Sequence, residues 1–198
     1  MIDFLNEYWW LSIILIVALF LGDHYMTVLA AKIHKTYLAQ YITYQAGLEM
    51  NPNFEKEVAN FQWFTRKHFT IILGFIISLS IIRLLGVIEI FEFFIGAYLL
   101  LWLYVDLRHI INILYLQDIR KPNSLIGKIE TSYWLSQRQV EFMYMSQAIL
   151  FGVVALASMR PFFWGGALGL LFQGFRHLSL ANRYPAKTSQ AVIQKTNE

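Results

Sequence analysis

FFIGAYLLLWLYVDLRHIIN, residues 93–112, begins as an unbroken apolar run and then places Asp106, Arg108 and His109 among Leu, Ile and Tyr. Read as a helix, it is long enough to cross a bilayer core, which takes about 20 residues. Composition favours that reading over a soluble helix. The 198-residue chain is 57% hydrophobic and only 15% charged, where a soluble domain carries about 25% charged residues. Its mean hydropathy is +0.47. The apolar residues gather into long runs, which is the membrane pattern.

Five such runs occur, at about 9–31, 69–88, 93–116, 135–158 and 162–181. They predict an all-α, polytopic transmembrane helical bundle forming one domain over 1–184, with a polar, mobile tail at 185–198. The first run is not a cleavable signal, because MIDFLNEYWW is acidic where a signal peptide is basic. There is no Cys, hence no disulfide framework and no thiolate metal site. A pI near 9.1 could point to nucleic acid. The basic residues, however, sit in loops beside apolar runs, so no nucleic-acid partner is expected.

Those loops set the expected orientation. Lys32, Lys35, Lys56, Arg66 and Lys67 lie between runs one and two. Arg120, Lys121 and Lys128 lie between three and four, and Arg183, Lys187 and Lys195 follow run five. The opposite side holds Arg160 with Asp3, Glu7, Glu89 and Glu92. The positive-inside bias places the N-terminus outside and the C-terminus in the cytoplasm.

The connection at 32–68 is long enough to carry structure. Tyr37, Tyr41 and Tyr44 recur at helical spacing, which extends the first helix to a C-cap at Gly47. A surface helix is expected at about 52–65, with Phe54, Val58, Phe61 and Phe64 as its apolar stripe. LRH at 107–109 and FRH at 175–177 fall at matching places in two hairpins, a faint internal repeat.

Depth gives the polar residues a common level. At 1.5 Å per residue, Asp23, Asp106 and Arg176 each lie roughly 20 Å below the outer ends of their helices. Glu141 lies roughly 10 Å above the inner end of its own. In a core about 30 Å thick, all four fall in the inner third. A lone charge there costs at least about 2.5–3.5 kcal/mol, so the charges should pair or line a wet cavity. Helical phase puts Asp106 with His109 on one face and Arg108 with Tyr104 and Asn112 on another. Asp23 with Thr27, Arg138 with Glu141, and Gln173 with His177 are further candidate couples. The bland alternative is that Arg108, Arg138 and Arg176 snorkel to headgroups. Arg83 is expected to partner Glu89 and Glu92. His24, His34 and His68 are read as ordinary hydrogen-bonded histidines.

Glu49, in GLEMNP, is either ordinary turn chemistry or a group folded back under the bundle. DHYMT at 23–27 followed by EMNP at 49–52 resembles small uncharacterised prokaryotic polytopic membrane proteins with an Asp-x3-Thr and a Glu-x-Asn-Pro pattern. The resemblance implies a bacterial or archaeal origin, hence a prokaryotic inner-membrane location. It matches Asp23, Thr27, Glu49, Asn51 and Pro52, and it implies no activity.

Walker A, GxSxG and HExxH sequences are absent. No HxxxH or ExxH pair supports metal or haem ligation by His109 or His177, so no metal is assigned and any cofactor stays unspecified. The apolar outer halves argue against a pore. What remains is a cytoplasm-facing charged vestibule built from Asp23, Thr27, Glu49, Asp106, Arg108, His109, Arg138, Glu141, Arg176 and His177. It would take a small anion, a lipid headgroup or a partner's segment, in transport, sensing or assembly; a membrane-protein partner or a homo-oligomer is compatible. One alternative is an enzyme on a lipid or lipid-linked substrate, with Asp23, Asp106 or Glu141 as acid/base groups. The other is a purely structural subunit.

Overall fold

The structure, a computed structural model, describes residues 2–44, 53–119 and 128–183. A short helix, α1 (Ile2–Glu7), leads into α2 (Trp9–Ile33). Ser12 donates to the Leu5 carbonyl at 3.1 Å and holds the two together. After α2 the backbone widens into one π turn over His34–Leu38 and then leaves the helix. The predicted continuation to Gly47 is therefore cut short. The cause is local: His34 Nε2–H donates to the Ile42 carbonyl at 2.7 Å, which draws the chain back while Leu38 and Ile42 bury together. Ile42–Tyr44 forms β1, paired in parallel with β2 (Ile129–Thr131), with Ile42 opposite Ile129. Gly47, Glu49, Asn51 and Pro52 lie outside the described residues.

The expected surface helix is also shorter. Only Glu55–Ala59 is helical (α3), and Phe61, at φ +54, ends any continuation. The apolar stripe accordingly splits. Phe54 and Val58 are buried, whereas Phe64 lies on the surface, one face stacked on His68. Helix α4 (Arg66–Leu84) starts where Thr65 N–H donates to His68 Nδ1 at 3.1 Å. Gly86, at φ +76, makes the left-handed turn into α5 (Ile88–Ile119), a conformation that glycine adopts without strain. Ser132 caps α6 (Tyr133–Ser158) by accepting from Leu135 N–H, and Pro161 opens α7 (Pro161–Arg183).

Among the described residues, four helical segments are long and apolar enough to cross a membrane: Trp9–Leu38, Arg66–Leu84, Ile88–Ile119 and Tyr133–Ser158. The chain has the build of a multi-pass helical membrane protein. Helix α7, expected as a fifth span, has the length but not the apolarity, since glycines, Gln173, Arg176 and His177 dilute it. It is nonetheless central, because it packs against both α5 and α6 while α2 covers the other side of α5. Helix α4 touches α2 and α5 more sparingly.

We call the end holding Trp9, Ile88 and Pro161 the upper end. Here Ile16, Leu79, Phe91, Ile95, Leu99 and Phe162 form a dry core. Gly96 and Gly165 bring the backbones of α5 and α7 together: a Cβ on Gly96 would overlap the Phe162 carbonyl, and one on Gly165 the Phe93 carbonyl. A second cluster, including Ala30, Leu38, Ile113 and Leu116, closes the α2–α5 seam near the lower end. A third joins Leu101 and Val105 to Val140, Tyr144, Ala148 and Leu170. The polar residues lie between these clusters.

Candidate functional site

Helix α5 carries polar groups on two flanks, as its phase predicts. Toward α2, His109 meets Asp23 at 2.9 Å and lies 3.4 Å from the Thr27 hydroxyl. Thr27 itself donates to the Asp23 backbone carbonyl at 2.9 Å, so the couple works through the main chain rather than the carboxylate. Asp106 shares this flank. Its Oδ2 stands 3.0 Å from where a Cβ on Gly22 would sit, so the glycine lets α2 approach. Asp106 is only 7% exposed, and its Oδ1 makes no hydrogen bond.

Toward α6 and α7, the Arg108 guanidinium lies over the Tyr144 ring at 5.6 Å, and Tyr104 meets the same ring edge-on at 5.5 Å. His177 stacks on Tyr144 with centroids 5.4 Å apart. Its Nδ1 and Gln137 Oε1 stand 2.5 Å apart, a hydrogen bond in which the ring donates when Nδ1 carries the proton. Arg138 and Glu141, one turn apart on α6, form an ion pair, with Arg138 also over the Phe142 ring. Arg176 reaches Gln173 at 3.4 Å, so Gln173 serves the arginine and not His177 as its spacing suggested. Arg108 and Arg176 are both electrostatic neighbours of His177.

Ten residues were singled out from the sequence. The structure places nine of them in separate groups: Asp23, Thr27, Asp106 and His109 at the α2–α5 seam, Arg108 and His177 on Tyr144, Arg138 with Glu141 on α6, and Arg176 with Gln173 on α7. The tenth, Glu49, is outside the described residues. Gln137 was not among them, although it is fully buried. Its signal was present: positions 137, 141, 144 and 148 form an i, i+4, i+7, i+11 stripe, and all four are buried on α6. Despite their similar tripeptides, His109 and His177 have unlike partners.

Three buried donors are left without acceptors here: Arg108 Nε and Nη1, and Gln137 Nε2. Each costs about 1–3 kcal/mol if nothing satisfies it. Elsewhere, Arg83 lies over the Phe91 ring at 5.8 Å rather than in an ion pair with Glu89 or Glu92. The upper-end ion pair is Arg160 with Asp3, at 2.8 Å. His24 binds the Gln62 carbonyl at 2.7 Å and packs edge-on against His68 at 4.1 Å. Among the described residues, no three His, Cys, Asp or Glu side chains stand together closely enough to hold a metal ion.

No protein-family model, curated protein or solved structure matches this chain.

Proposed function

We propose that this is a prokaryotic inner-membrane protein of five spans, N-terminus outside, whose polar layer lies in the inner third of the bilayer. That layer takes an anionic group, a small anion or a lipid headgroup, reached from the cytoplasmic side. The observation that carries the reading is Arg108, whose Nε and Nη1 are both buried and without acceptors. The two nitrogens lie on different edges of the guanidinium, since Nε–H runs parallel to an N–H of Nη2 and not of Nη1, so each calls for its own anionic acceptor oxygen. Gln137 Nε2, buried beside the His177 contact, adds a third polar group without a partner.

A layer that only knits the helices accounts for the Asp23–His109 and Arg138–Glu141 pairs. It leaves the Arg108 donors unexplained. The apolar upper core supports one-sided access over a continuous pore. Purified protein in detergent should melt at a higher temperature with inorganic phosphate. Saturation at 100 times the dissociation constant is worth about 2.7 kcal/mol. Arg108→Gln should abolish that rise. No rise in the unmodified protein, or an equal rise in the variant, would sink the anion reading.

A further inference from the structure

The α2–α5 seam lies on the other flank of α5 from Arg108, and it carries a charge problem of its own. Two carboxylates and one imidazole lie there. His109 Nε2–H donates to Asp23 Oδ1 at 2.9 Å, since a carboxylate can only accept. The Thr27 hydroxyl gives its proton to the Asp23 backbone carbonyl. Asp23 is thus supplied with a partner, and Asp106 is not. Its Oδ2 stands 3.0 Å from the position of a Cβ on Gly22, the residue before Asp23, so the carboxyl is packed against α2. It is 7% exposed, and Oδ1 is buried without a hydrogen bond. Among the described residues no ion pair reaches it.

The groups around Asp106 do not offset a negative charge. From α2 comes Asp23, itself acidic. On α5, Trp102 lies one turn before, and its buried indole N–H bonds nothing and carries no charge. Arg108 lies over the Tyr144 ring of α6, on the other flank, where His177 of α7 stacks on the same ring. On α4, His68 is enclosed by the rings of Phe20, Phe54 and Phe64. His109 shares the flank of Asp106 but is engaged by Asp23. A bare carboxylate held this way is costly. With Oδ2 against Gly22 and Oδ1 enclosed, the group has room for a proton and for nothing larger.

We propose that the α2–α5 seam is a proton-binding site, in which Asp106 carries the proton and His109 serves whichever carboxylate is charged. In the loaded site an uncharged acid stands next to the matched Asp23–His109 pair. On release the O–H bond of Asp106 breaks, the electron pair stays on oxygen, and the proton passes to water. The new carboxylate then competes with Asp23 for His109, three residues on and on the same face. The side chains of Asp23 and His109 are 24% and 13% exposed, so the seam meets its surroundings through them while Asp106 stays enclosed. Nothing in this site uses Arg108, so it stands or falls apart from the anion reading.

Infrared spectroscopy of the full chain in detergent reads the proton directly, because a carboxylic acid and a carboxylate absorb at separate frequencies. At neutral pH an acid band should be present. It should move when the aspartates carry heavy carbon in their carboxyl groups, and it should vanish in Asp106→Asn. Alkali should remove it reversibly while a carboxylate band grows. His109→Gln, which takes away the imidazole that serves the released carboxylate, should move that loss to more alkaline pH by about one unit or more. No aspartic acid band in the unmodified chain at neutral pH overturns the proposal, as does a band that survives in Asp106→Asn. A band that persists at every pH where the protein stays folded also overturns it, since a proton that never leaves is structural. An unmoved loss in His109→Gln overturns the part given to His109. The labelled unmodified chain keeps the test decisive where a variant does not fold.

Discussion

Glu57 and Lys67 tie α3 to the start of α4 with an ion pair at 2.5 Å, while Lys67 also donates to the Asn53 carbonyl. The hydrogen bond from Lys67 is the main reason the Glu57 carboxyl is held below its usual value of 4.5. A carboxylate with a lowered native pKa contributes stability above the unfolded value and loses it as pH falls through the native value. Glu57→Gln should therefore lower the melting temperature at neutral pH by a small step. An exposed pair is worth under about 1 kcal/mol. The gap from the unmodified protein should close as pH falls below about 4.5, which melts across a pH series would detect. A gap independent of pH would mean that the pair does not contribute through its charge. At this scale the sequence was partly legible. Helical phase alone separated Asp106 and His109 from Arg108 and Tyr104, because i, i+3 and i, i+4 geometry is local. It could not find the bond from His177 to Gln137, whose partners lie 40 residues apart.

Elements were legible where their cause is local and lost where it is not. Long apolar runs declared α2, α4, α5 and α6, and their observed ends differ from expectation by a few residues. The π turn after α2 and the three-residue β1–β2 ladder escaped notice because both depend on where Ile42 is drawn after leaving the helix. The close approach of α5 and α7 at Gly96 and Gly165 is likewise visible only in the structure, since its two glycines lie far apart in sequence. This contact separates two effects of the same substitution. Gly152 on α6 has open space where a Cβ would go, so Gly152→Ala should stabilise by up to about 1 kcal/mol through helix propensity. Gly96→Ala must push α5 away from the Phe162 carbonyl and should destabilise by about 1–3 kcal/mol. Thermal melts of the two variants in one detergent should move in opposite directions. If both rose, the close approach of α5 and α7 would be wrong.

At the scale of the molecule the open quantity is the path of α7. It is the least apolar of the long helices, yet it is wedged between α5 and α6 along most of its length, with Gly165 against the backbone of α5. A helix so enclosed meets protein rather than lipid on much of its surface, so it need not be as apolar as its neighbours to cross. Its buried face of Gly165, Gly166, Leu170, Gly174 and His177 fits that position. The absence of native Cys allows a labelling test without background. In intact cells, Glu7→Cys and Ile90→Cys should react with a membrane-impermeant maleimide from outside, and Glu57→Cys and Lys121→Cys should not. These four fix the frame for α2, α4 and α5. Gln190→Cys then decides α7. If α7 crosses, position 190 returns to the cytoplasm and stays unlabelled until the membrane is permeabilised. If only α2, α4, α5 and α6 cross, the chain ends on the side where it began, and position 190 labels together with position 7. That outcome would remove α7 from the bilayer, and with it the depth assigned to Arg176 and His177.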